Sequence, residues 1–293
     1  MREVVLKRIA FVVLIAGLLV VPAAPASAVP QKRIPAKAAV VMDESGAILY
    51  SKFPDAKLAP ASTVKLITAM VAIDKLALDQ RVKISKHAAR ARTIQFKLKQ
   101  SEELTVEDLL NLALIQSVNA AAVALAEAAA GSEKDFAILM NEKAEAVGAH
   151  NTHFTNASGL PKGNQYTTAA DLALILRAAL SYPLIKEILA KRGCIVRTTE
   201  GRVIGVQTSN DLFWQTEGVI GGKTGYTGDA RHCFVYAIKT DKGPLFTAIL
   251  GARSRSSLWK SARMLSELRT NPEAMDLKSR PRAIRSDATA AVK

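Results

Sequence analysis

The order of segment types along the chain constrains its fold more than any other feature. Strand-like runs come first, a long helical stretch follows, and strand-like runs return. Segments so distant in sequence must complete one sheet, while the helices between them gather as a second lobe. Residues 38–43 and 47–51 are apolar and β-prone and flank Glu44-Ser45-Gly46, the pattern of a hairpin. Pro60 then precedes residues 62–75, where Val64, Ile67, Met70, Val71 and Ile73 recur at helical spacing. This stretch is apolar on most sides, so it reads as a buried central helix whose first turn carries Ser62 and Lys65.

From about 105 to 189 the pattern is mostly helical. Thr105 with Asp108 resembles a capping box. The alanine-rich run 119–130 stops at Gly131, Ser132 opens a helix ending at Gly148, and Thr168 with Asp171 starts another. Residues 152–166, with Gly159, Pro161 and Gly163, read as a loop. Strands return at 194–199, 202–207, 222–226, 233–239 and 245–251, the last two joined by a turn at Asp241-Lys242-Gly243. An amphipathic helix over 256–268 follows. The expected class is α+β: an antiparallel sheet flanked by helices, with a sheet lobe from 37–60 and 194–270 and a helical lobe over about 61–193. Residues 271–293, with Pro272, Pro281 and many charged and small residues, read as a disordered basic tail.

The first 28 residues read as an export signal. Arg2, Lys7 and Arg8 form a positive start, residues 9–21 a short apolar core, and Pro22 to Ala28 a small-x-small cleavage site. The apolar run is shorter than the roughly 18 residues a membrane span needs, although retention as an N-terminal anchor stays open. The protein is therefore expected in the periplasm or cell-wall space, without a stable membrane anchor after cleavage. The formal charge is +14, of which the signal accounts for +2. Such a charge is compatible with nucleic acid, but aromatics are 5% of residues and no nucleic-acid motif accompanies it. Anionic wall polymers fit an exported chain better. Cys194 and Cys233 can pair in an oxidising compartment, or Cys233 can be a buried free thiol in its apolar run. The four histidines are scattered, so no metal and no cofactor is expected.

Three short motifs carry chemistry: Ser62-Thr63-Val64-Lys65, Ser117-Val118-Asn119 and Lys223-Thr224-Gly225. Each is weak alone, and Ser257-Leu258-Trp259-Lys260 repeats the first spacing by chance. A serine hydroxyl needs a base, and at helical spacing Lys65 reaches Ser62. Lysine acts as that base only when neutral, which burial and a second nearby cation such as Lys223 both favour. Ser117 can relay a proton to a leaving amine, and Asn119 can hold a substrate amide. Lys223 and Thr224 suit a carboxylate, and Gly225 lets a ligand backbone lie close. The N–H groups of Ser62 and Tyr226 are candidates for an oxyanion hole.

Taken together, the motifs resemble those of the low-molecular-mass penicillin-binding proteins, the D-alanyl-D-alanine carboxypeptidase family. The resemblance extends through Leu58 to Met70, Leu114 to Asn119, Asn151 to Leu160, Tyr166 to Leu172 and Gly222 to Thr227. It implies the transpeptidase fold shared with β-lactamases, with the active site between sheet and helical lobe. It also implies acylation of Ser62 by peptidoglycan stem peptides ending in D-Ala-D-Ala, release of D-alanine, and acylation of the same serine by penicillins. An arginine after the last strand helps hold the substrate carboxylate in many relatives, and Arg255 is the candidate here, with Arg253 nearby. Val118 stands where many relatives have glycine, which would narrow the cleft. The second β-rich domain and amphipathic anchor of many carboxypeptidases have no counterpart in the sequence. In that compactness it resembles the endopeptidase branch, which cuts peptidoglycan crosslinks.

Two other classes compete. A class A β-lactamase needs a glutamate to activate the deacylating water, and neither Glu187 nor Glu200 has the expected setting. A basic wall-binding protein with an inactive site is the non-enzymatic alternative, disfavoured by the presence of every motif side chain.

Overall fold

The computed structural model describes residues 34–93 and 96–267. The export signal and the basic tail lie outside the described residues. The first described elements are strands β1 (Ala38–Met42) and β2 (Ile48–Lys52), and Gly46 at φ +94 makes the hairpin turn. A 3-10 turn, Ala61–Val64, leads into helix α1 (Lys65–Lys75). Ser62 thus sits in the tighter 3-10 turn, one step before the expected helix proper, and Lys65 is the first α-helical residue.

A small strand pair, β3 (Arg81–Lys83) with β4 (Glu103–Thr105), brackets the short helix α2 (Lys86–Ala89). Helices α3 (Val106–Ile115), α4 (Asn119–Ala130), α5 (Glu133–Ala146), α6 (Ala169–Ala179) and α7 (Pro183–Ala190) follow. Local chemistry explains their ends. Thr105, Ser132 and Thr168 each accept a hydrogen bond from the backbone N–H three residues on. Gly131 closes α4 in the left-handed region at φ +75. Strands β5 (Gly193–Arg197), β6 (Val203–Gln207), β7 (Val219–Thr227), β8 (Arg231–Thr240) and β9 (Gly243–Ala252) come next, then helix α8 (Arg255–Ser266).

The main sheet is antiparallel, ordered β2-β1-β9-β8-β7, so the first and last thirds of the chain complete it together. The β5–β6 hairpin pairs only with itself, as a separate two-stranded sheet. Residues 194–207 are therefore no part of the main sheet. They are a strand pair with short, half-exposed faces, and alternation alone does not encode which sheet a strand joins.

The period-two pleat divides the core. Val40, Met42, Cys233, Val235, Ala248 and Leu250 face the helical lobe, while Ala39, Val41, Phe234, Tyr236 and Ile249 face Leu258, Ala262 and Leu265 of α8. On α1 every residue from Lys65 to Ala72 is buried, so this helix is the centre of the molecule. Each fully buried Leu, Ile or Met there contributes about 1.5–3 kcal/mol. Cys194 and Cys233 are both unpaired, on different sheets, and Cys233 is fully buried.

Candidate active site

The site forms where the Ser62 turn, the start of α4, the 155–160 loop and strand β7 converge. Strand β7 comes against the turn at Gly225, where a Cβ would lie 2.8 Å from Ser62 N and 3.0 Å from the Ala61 Cβ. Only glycine permits that approach. On the other side, Gly159 at φ +80 crosses so near the turn that a Cβ would sit 2.0 Å from Ala61 O. Two glycines thus clamp the nucleophile turn from opposite elements.

Lys65 Nζ lies 3.0 Å from Ser62 Oγ, 2.7 Å from Asn119 Oδ1 and 2.5 Å from the carbonyl oxygen of Ser158. Three partners fit either protonation state. An ammonium donates to all three, whereas a neutral amine donates to Asn119 Oδ1 and Ser158 O and accepts the Ser62 hydroxyl proton. Lys65 has no solvent exposure. Burial holds its pKa well below the usual lysine value, the neighbouring Lys223 ammonium lowers it further, and the Glu133 carboxylate opposes them.

The Ser158 carbonyl has no side-chain signature, which is why motif reading passed over it. Asn156 Oδ1 accepts from the N–H groups of Ser158 and Gly159, at 3.2 and 2.7 Å, and Asn156 Nδ2 donates to Leu160 O at 2.9 Å. Thr68 Oγ1 donates to Ala157 O at 2.7 Å, and Ala157 N donates to Glu133 Oε1 at 3.1 Å. These bonds tie the loop to α1 and α5. The buried Asn156 within the Asn151–Leu160 run was the legible trace of this support.

Ser117 occupies the left-handed region at φ +66, rare for a residue with a side chain. Its Oγ is buried and has no hydrogen-bond partner among the described residues. Strain and an unsatisfied hydroxyl at one residue are a pairing found at functional positions. Val118 is fully buried within the helical core. It therefore packs inward and does not narrow the cleft as the sequence suggested. Asn119 opens α4 and anchors its own Nδ2 on Arg92 O at 2.5 Å.

Lys223 is 1% exposed, donates to Thr224 O at 3.0 Å, and burial pushes its pKa down to about 7. The Thr224 hydroxyl hydrogen-bonds that of Ser209. Two residues beyond Ser209, both carboxylate oxygens of Asp211 accept from Nη2 of exposed Arg255, at 3.0 and 2.9 Å. Arg253 instead lines a cavity with Lys37, Lys52 and Arg231. Tyr226 is half-exposed and lies over His232, with ring centroids 4.5 Å apart. A cavity of about 260 Å³ opens between the 159–165 loop and Thr227 and Asp229. Glu187 pairs with Lys191 on the surface of α7, and Glu200 lies at the exposed tip of the β5–β6 hairpin. Among the described residues no group of three or more His, Cys, Asp or Glu side chains is placed to hold a metal ion.

Comparison with known proteins shows the family and fold of the chain. Residues 25–254 match the profile of the family described as D-alanyl-D-alanine carboxypeptidase. The chain is 34% identical over 223 residues to the D-alanyl-D-alanine carboxypeptidase DacF of Bacillus subtilis, covering 74% of this chain and 57% of that protein. It is 31% identical over 269 residues to the D-alanyl-D-alanine endopeptidase of Escherichia coli, covering 87% and 86%. The crystal structure of a D-alanyl-D-alanine carboxypeptidase from Mycobacterium tuberculosis superposes with a TM-score of 0.77 at 32% identity, covering 83% of this chain and 94% of that one.

Proposed function

This chain belongs to the D-alanyl-D-alanine carboxypeptidase family of serine peptidases, and from that membership we propose that it is a peptidoglycan DD-peptidase working through an acyl-enzyme on Ser62. The observation that carries the reading is the Ser62–Lys65 contact at 3.0 Å with Lys65 buried and its pKa depressed. The neutral amine of Lys65 takes the Ser62 proton as Oγ attacks the carbonyl of the penultimate D-alanine. The N–H groups of Ser62 and Tyr226 receive the oxyanion. Ser117 Oγ passes a proton to the departing amine, and water then hydrolyses the ester. Asn119 holds the substrate amide, while Lys223, Thr224 and Gly225 receive the terminal carboxylate end of the peptide. Arg255 assists from the rim once its pairing with Asp211 loosens. Penicillins acylate Ser62 by the same route.

Residues 1–28 act as an export signal, and the enzyme works in the periplasm or wall space on stem peptides. Among the described residues no helix is long and apolar enough to cross a membrane. The domain reading keeps 29–270 as the peptidase and 271–293 as a basic tail.

A second reading, cleavage of D-alanyl crosslinks, is favoured by one observation. The chain matches the Escherichia coli endopeptidase over 269 residues at 31% identity, close to the 34% it shares with the Bacillus subtilis carboxypeptidase. Product analysis separates the two. Free D-alanine from pentapeptide stems alone supports the carboxypeptidase, conversion of crosslinked dimers to monomers supports the endopeptidase, and neither product overturns both.

A further inference from the structure

A cavity of about 1080 Å³ lies apart from the acylation site. It lies across one end of the main sheet, and four successive strands each bring a cation to it. Arg231 opens β8 opposite Thr227, the last residue of the Lys-Thr-Gly strand. Arg253 follows Ala252, which pairs with His232 at the end of β9. Lys37 precedes β1 and bonds its N–H to Leu250 O at 3.0 Å. Lys52 ends β2 opposite Ala39. With strands ~4.8 Å apart, this row is roughly 15 Å long and starts some ~7 Å along β7 from Gly225.

The described lining holds these four cations and no carboxylate. Lys52 donates to the carbonyls of Ile34 and Ala36, at 2.8 and 2.7 Å, and so fixes the cavity floor. Lys37 lays its stem over Gly251, where a Cβ would meet it at 2.7 Å. The side chains of Lys37, Arg231 and Arg253 are exposed and make no ion pair or hydrogen bond with described residues. Three cations with no ion pair among the described residues, set around a concavity, raise the local concentration of anions and favour an extended ligand with spaced negative charges. Phe53, 68% exposed at the rim, adds an apolar shelf. Leu58 lines this cavity and Ala59 the smaller one beside the acylation site, so a single segment leading to Ser62 separates the two.

We propose that this basic cavity is a second binding site for peptidoglycan, taking the carboxylates of a stem next to the one being cleaved. The proposal rests on the DD-peptidase reading, because it assigns the ligand to the substrate's own polymer. It gives the enzyme a hold on the wall that is independent of the acylation chemistry.

The test is a sedimentation assay with purified, polymer-stripped peptidoglycan sacculi. It compares the full chain with the double variant Lys37→Gln, Arg231→Gln, with Ser62 acylation by a penicillin measured in parallel. The expected result is at least a tenfold loss of sacculus affinity in the variant, with the acylation rate unchanged. The native chain should also lose affinity when sacculus carboxylates are amidated, and when salt is raised. Equal binding by both proteins would overturn the proposal, as would native binding only to sacculi that keep their phosphate polymers. Absence of acylation in the native chain would instead sink the DD-peptidase reading, and the binding comparison would still score the cavity.

Discussion

Lys65 owes its proposed role to its surroundings. It is fully buried, faces the Lys223 ammonium, and has in Asn119 Oδ1 and Ser158 O the two acceptors that a neutral amine can satisfy while its lone pair meets the Ser62 proton. Replacing it with alanine leaves Ser62 without a base, so Lys65→Ala should slow acylation by at least a thousandfold in a stopped-flow penicillin assay. Near-normal rates would remove Lys65 from the mechanism. Lys223 titrates near neutrality, with its pKa lowered to about 7 by burial. Its charge, and with it recognition of a carboxylate by free enzyme, is present below that pH and lost above it. The kcat/KM profile for a carboxylate-terminated peptide should therefore fall as pH rises past about 7, and Lys223→Ala should be low throughout with that limb gone. An unchanged alkaline limb in the variant would assign it to another group. The side chains at this scale were legible in the three motifs. The Ser158 carbonyl was not, because a backbone oxygen leaves no residue type to read. Nor was the inward packing of Val118, since its sequence neighbours do not say which way a cap residue points.

At the scale of elements, the site depends on how closely four segments approach. Gly159 and Gly225 set two of those distances, one by a left-handed backbone and both by lacking a Cβ. Gly159→Ala places a methyl group 2.0 Å from Ala61 O at φ +80, so either the loop or the Ser62 turn must move. A loss of about 2–4 kcal/mol in denaturant unfolding, with slowed acylation, is expected. A loss below about 0.5 kcal/mol would mean that the clamp is slack. Helix boundaries were the most readable elements, because Thr105, Ser132, Thr168 and Gly131 each state a physical end signal. The three-residue strands β3 and β4 were missed because they are too short for a period to register. The β5–β6 hairpin was recognised as strands, but that it pairs apart from the main sheet was not legible, since pairing partners are a tertiary property.

Across the whole molecule, buried titratable groups couple function to stability. Lys65 and Lys223 have folded-state pKa values below the 10.5 of an exposed lysine. The unfolded chain then binds protons that the native state has released, so Lys223 makes stability rise from about pH 7 toward higher pH, by up to about 1.4 kcal/mol per unit, and Lys65 acts in the same direction. Burial raises Cys233 from 9.0 and Tyr236 from 10.0, each to about 12, which has the opposite effect. Their stabilisation is intact below pH 9 and is lost as pH climbs toward 12. Maximum stability is thus expected near pH 10, where the opposing slopes balance, and Lys65→Met with Lys223→Met should flatten the rise below it. A melting profile that declines from pH 7 to 9 in the native chain would show that these lysines are charged and compensated. The strand–helix–strand order gave away the two-lobed architecture because only distant segments could complete the sheet. The row of cations at the sheet's end stayed hidden, since Lys37, Lys52, Arg231 and Arg253 meet only through strand pairing.

The measurement closest to the central claim is intact-protein mass spectrometry after brief exposure to benzylpenicillin, followed by peptide mapping. A single adduct of the drug's full mass on the peptide containing Ser62, absent from Ser62→Ala, is the expected result. An unmodified native chain, or an adduct that survives in Ser62→Ala, would contradict the assignment of Ser62 as the nucleophile.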